Sequence, residues 1–156
     1  MKRLLLILML LPQTAWTQSR VDTVTPPFAG DQARHVADVA SWVTVSAALV
    51  LDAKASWDAP DRTKSLALFG VRAGLNYGAA TLVKKLTHRV RPDGSNDESF
   101  YSLHTAYGFS TMGGPRLAFV LPLAVSTGGL RIAAGKHWLT DVLAGAGVGF
   151  GTSFIR

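Results

Sequence analysis

The chain has 156 residues, 48% of them apolar and only 17% charged, with a formal net charge of +6 and no cysteine. That length holds one domain with a sizeable core and is too short for two, and the lack of cysteine excludes disulfides and thiolate metal sites. The positive balance suits nucleic acid, anionic lipid or a small anionic substrate, yet neither zinc-finger spacing nor an aromatic RNP-like run is present, so no nucleic-acid partner is expected.

Met1-Lys2-Arg3 is a short positive segment and Leu4 to Leu11 an apolar one, with small or polar residues at Ala15, Thr17 and Ser19. Residues 1–18 therefore read as a secretory signal, or as an anchor if uncleaved, and predict an exported protein. Residues 19–30, with Pro26, Pro27 and Gly30, read as a linker ahead of one domain over 31–156. Asp31 is a candidate N-cap for a first helix through Val36, Val39, Ala40, Val43 and Ala47, ending near Asp52. Trp57 to Arg62, with Pro60, is a turn; Thr63 or Ser65 opens a second helix over Leu66 to Thr87. Pro92 to Asp97 is a loop, followed by a short helix from Ser102 to about Met112 that Gly113-Gly114-Pro115 breaks. Leu117 to about Leu130 is a fourth helix with Pro122 as a candidate kink, and Trp138 to Phe154 is the last. These elements predict an all-α fold, a compact bundle of about five helices.

The uncharged apolar runs are short: Val39 to Leu51 is 13 residues and Val142 to Ile155 is 14. Both fall below the roughly 20 that cross a bilayer. Such runs fit buried core helices, and a shallow or tilted membrane bundle has the same pattern. Gly145, Gly147, Gly149 and Gly151 form two overlapping small-xxx-small pairs that permit close helix packing in either setting.

The chemistry-bearing residues gather in the second half. His137 and Asp141 are four apart; on one helical face the carboxylate would accept from a ring nitrogen and leave the other nitrogen free. The same pairing also holds a purely structural histidine. Upstream stand Arg131, then Ser102 and His104 at a helix start, then Lys84 and Arg91 in a run of positive charge. Three fixed cations, two histidines and a helix N-terminus capped by a serine are what a tetrahedral oxyanion, above all phosphate, requires. His35 and His88 fit no pattern and read as surface residues. Arg72 and Asn76, one turn apart, read as facing the interior with no assigned role.

Lys84-x6-Arg91-Pro92, Ser102-x-His104 and Arg131-x5-His137-x3-Asp141, in that order, resemble the three-part signature of the type 2 phosphatidic acid phosphatase and vanadium haloperoxidase superfamily. The resemblance covers about Leu66 to Gly151 and includes the Thr-Asp-Val-Leu-Ala-Gly-Ala run after the last part. Where that superfamily usually has Pro-Ser-Gly-His, this chain has Tyr101-Ser102-Leu103-His104; where it has Ser-Arg, this chain has Leu130-Arg131. The interval from His104 to Arg131 is also short.

The resemblance implies a metal-independent phosphatase with no cofactor, on which vanadate would act as a phosphate mimic. His137 would attack phosphorus and form a phosphohistidine, with Asp141 orienting its ring. His104 would protonate the leaving alkoxide and then activate water. Lys84, Arg91, Arg131, Ser102 and the Leu103 N–H would hold the phosphoryl oxygens. The expected substrate is a lipid phosphate or diphosphate in the bacterial cell envelope, with membrane association. A soluble, broad-specificity periplasmic acid phosphatase and an anion- or lipid-binding pseudo-enzyme remain open beside it.

Overall fold

A computed structural model describes residues 30–113 and 116–156, so the expected signal segment and nearly all of the linker lie outside the described residues. Within these, the chain is all helical, with five helices and no strand: α1 Asp31–Trp57, α2 Arg62–Thr87, α3 Leu103–Ser110, α4 Leu117–Ala133 and α5 Leu139–Thr152. The expected bundle is present, but its boundaries differ from the sequence reading. Asp31 is the first helical residue of α1, not its cap; Gly30 holds the cap position in extended conformation. α1 runs past Asp52 to Trp57, and α2 begins at Arg62 because Asp61 caps it, its carboxylate accepting from the Lys64 N–H at 3.0 Å. α4 continues through Ala133, with Pro122 inside it.

The short helix α3 is the hub: α1, α2, α4 and α5 all pack on it. Close approach on the α5 side comes from Gly145 and Gly149. A Cβ on Gly145 would stand 2.4 Å from the Ser102 carbonyl oxygen, and one on Gly149 would stand 2.2 Å from that of Ala106. Gly147 and Gly151 face open space, so only one of the two small-xxx-small pairs is a packing face.

The bundle's polarity is reversed. The buried stripe of α1 is Ala37, Ser41, Val45, Ala48, Asp52 and Ser56, small or polar at helical spacing, while Val36, Val39, Trp42, Val43 and Val50 are exposed. The buried positions of α2 are Arg72, Asn76 and Ala80, and Val71, Leu75, Tyr77 and Leu82 lie outside. A helix in water buries its apolar stripe; these two present it outward. At 27 and 26 residues both are long and apolar enough to cross a membrane by length and composition. The apolar runs counted in the sequence understate this, because Arg72 and Asp52 interrupt the runs yet point inward and satisfy each other. Arg72 Nη2 meets Asp52 Oδ2 at 2.5 Å, and Nη1 donates to the Ile155 carbonyl at 3.0 Å. Asn76 donates to Thr152 Oγ1 at 2.9 Å, so both interior residues tie α2 to the end of the chain.

Candidate active site

The Arg131-x5-His137 spacing is one helix ending. Ala134 caps α4 and Gly135 follows with φ +71°, the left-handed region that glycine enters without penalty. The Lys136 N–H then donates to the Arg131 carbonyl at 3.1 Å and the Gly135 N–H to that of Ile132 at 2.9 Å, the paired bonds of a Schellman turn. The His137 N–H also reaches the Arg131 carbonyl at 3.3 Å. The turn thus folds His137 back onto the helix that carries Arg131. A second loop completes the frame: Ser99 N–H donates to the Arg89 carbonyl and Arg91 N–H to that of Asn96, at 2.9 and 3.0 Å. Lys136 Nζ pairs with Asp93 at 2.7 Å and ties the two loops together.

His137 is not on a helix, which corrects the expected i,i+4 face; α5 starts at Leu139, with Trp138 as its N-cap. Its Nδ1 donates to the Ser99 carbonyl at 2.6 Å, while Asp141 Oδ2 stands 3.8 Å away, beyond hydrogen-bond distance. The ring is therefore oriented by a backbone carbonyl, and Asp141 acts one step behind it. The Asp141 carboxylate, fully buried, accepts from Ser99 Oγ, from the Trp138 N–H at 2.9 Å and from Arg89 Nη1 at 2.5 Å. The tautomer is still fixed: with Nδ1 carrying its proton, Nε2 is left with a lone pair and no partner among the described residues. Burial holds His137 down to about pKa 4, against a smaller upward pull from Asp141, so the imidazole is neutral at neutral pH.

His104 is the second residue of α3, and its Nε2 is buried with no partner. Its ring stands edge to face against Trp42 of α1, centroids 4.1 Å apart. Burial, and then the charges of Arg131, His137, Lys84 and Arg91, hold it down to about pKa 3. Ser102 caps α3, its oxygen accepting from Thr105 Oγ1 at 2.9 Å, and it is fully buried. Leu103 and His104 are the first two helical positions, where N–H groups have no carbonyl within the helix to bond. Tyr101 is buried beside Ala80, Phe100 and Ala106.

The cations divide into two kinds. Arg89 pairs with Asp141, Arg131 with Asp38, and Lys136 with Asp93. Lys84, half-buried, and Arg91, whose Nε is buried without a partner, have no ion-pair partner among the described residues. Positive charge thus predominates beside the two neutral imidazoles, with Glu98 and Asp141 bearing on Lys84 from beyond ion-pair distance. Sequence reasoning missed Asp38, Trp42, Arg89 and Ser99. Arg89 lies inside the positive run that was singled out, and the burial of a carboxylate at Asp141 required some cation nearby. His35 and His88 are exposed as expected, His88 bonding Asp97 at 2.8 Å. Trp138 donates its indole N–H to the Val90 carbonyl at 2.9 Å, which makes it a clasp between the two loops.

The chain matches no known protein family, curated protein or solved structure.

Proposed function

We propose that the chain is a phosphatase of the type 2 phosphatidic acid phosphatase kind, hydrolysing a lipid phosphomonoester or diphosphate at a membrane without a metal ion. The observation that carries this reading is a pair of neutral histidines, each with an open Nε2, next to two cations with no ion-pair partner among the described residues. His137 Nε2 attacks phosphorus as the ester P–O bond breaks, and the leaving alkoxide takes a proton from His104. Water then attacks the P–N bond while His104 accepts its proton, releasing phosphate and neutral His137. Lys84, Arg91, Arg131 and the first N–H groups of α3 stabilise the charge spread over the equatorial oxygens. Entry of a dianion raises the affinity of the His104 ring for a proton, which supplies the acid that His104 must be, while His137 reacts with its Nε2 lone pair free. The outward apolar faces of α1 and α2 support a bilayer setting: 27 and 26 residues at roughly 1.5 Å rise exceed the ~30 Å hydrocarbon thickness.

Assay of the full chain in detergent with p-nitrophenyl phosphate and with a diacyl phosphate, excess chelator present, tests the reading. Phosphate release from the lipid, eliminated in His137→Ala with helical circular dichroism retained, is the expected result. Comparable release from both esters would favour a broad acid phosphatase. Phosphate binding without release from either would mark a pseudo-enzyme.

A further inference from the structure

A carboxylate outside the three motif segments reaches the candidate site. Asp38, in the second turn of α1, accepts through Oδ1 from Arg131 Nη1, and Ser41 Oγ lies 3.4 Å from the same nitrogen. The Arg131 side chain is 5% exposed and that of Asp38 28%, so the carboxylate approaches the guanidinium from the solvent side. There it lines a polar cavity of about 290 Å³ with Arg34, His35, Asp93 and Lys136. The Arg131 charge also bears on both histidine rings. An arginine carries five N–H donors in a rigid fork. Asp38 and Ser41 engage Nη1, while Nε is buried with no partner.

We propose that Asp38 is a positioning residue for the reaction: by holding Nη1 it turns the remaining edge of Arg131 toward the phosphate, and its charge limits how tightly the product is held. This rests on the phosphatase reading above. Nothing in the motif spacing points to α1, and a carboxylate beside an anion site is unfavourable for binding alone. It is favourable for turnover, because donors fixed before the anion arrives need no reorganisation, while a dianion facing fully unopposed cations leaves slowly.

The test is calorimetric titration of inorganic phosphate into the full chain at fixed ionic strength, with kcat and KM on a diacyl phosphate. Asp38→Asn keeps an oxygen acceptor for Nη1 and removes the charge. Its phosphate affinity is expected to rise by ~10-fold, the order for one charge beside a partly screened site, with KM falling in step. Asp38→Ala removes the anchor as well, and its kcat/KM is expected to fall by roughly 10², as for loss of one preorganised donor. A carboxylate that merely compensates a buried arginine would not tighten phosphate when made neutral. Phosphate affinity in Asp38→Asn equal to or below that of the unmodified chain overturns the proposal, as does wild-type kcat/KM in Asp38→Ala. If the unmodified chain neither binds phosphate nor cleaves the ester, the phosphatase reading fails and takes this one with it; if it does both, only the role of Asp38 is at stake.

Discussion

Replacing Arg89 with methionine removes a guanidinium that is 7% exposed and paired at 2.5 Å with a carboxylate that is fully buried. Among the described residues, Asp141 would keep Ser99 Oγ and the Trp138 N–H as donors to its carboxylate, both neutral. Removing one partner of a buried pair leaves an uncompensated charge, and the expected loss is about 3–5 kcal/mol. Asp141→Asn leaves Arg89 buried in turn and should cost a similar amount. The double variant strands no charge, so its cost should be smaller than the sum of the two by at least about 1 kcal/mol, within the range for residues in contact. Equilibrium denaturation in detergent, followed by far-ultraviolet circular dichroism, measures all three. Losses that add to within about 0.5 kcal/mol would refute the idea that Arg89 is there for Asp141. The same reasoning separates Arg89 from its neighbour. Arg91→Met should leave stability nearly unchanged and weaken phosphate binding by roughly 10², because its guanidinium has no ion-pair partner among the described residues.

The glycine face of α5 gives a paired prediction: Gly145→Ala forces a Cβ to within 2.4 Å of the Ser102 carbonyl and should lower both stability and activity, whereas Gly147→Ala, facing open space, should do neither. Thermal denaturation and turnover of the two variants side by side check it. The histidines predict acid lability. Their folded values, about 4 for His137 and about 3 for His104, lie below the ~6.5 of an unfolded chain. The unfolded state thus binds more protons between those limits, and stability falls as pH drops from about 6.5 toward 4. At pH 5 the loss is about 2 kcal/mol per histidine, and a His104→Asn, His137→Asn chain should show a flatter profile over that range. Phosphate binding near pH 6.5 should draw protons into the protein, read as a dependence of the calorimetric heat on buffer ionisation enthalpy.

Much of the scaffold was legible because it rests on local chemistry. Ser102 as a cap and the order of five helices follow from neighbours a few residues apart. The reading of His137 and Asp141 failed for a specific reason: a spacing of four implies a shared helical face only if both residues are helical, and here the helix starts between them, at Leu139. Asp141 then serves as the third helical residue and closes its carboxylate on the Trp138 N–H. Asp38, Ser99 and Arg89 stayed illegible because each acts across 38 or more positions of chain: 93 from Asp38 to Arg131, 38 from Ser99 to His137 and 52 from Arg89 to Asp141. The lengths of α1 and α2 were obscured by Asp52 and Arg72, charges that break an apolar run on paper and cancel in the folded chain.

The most direct measurement is to quench the full chain during turnover of a radiolabelled phosphate ester and to map the label. An alkali-stable, acid-labile phosphate on the peptide containing His137, lost in His137→Ala and accumulating in His104→Asn when the leaving group is p-nitrophenolate, is the predicted result. Turnover with no label on His137, or label carried by His104 instead, would contradict the account.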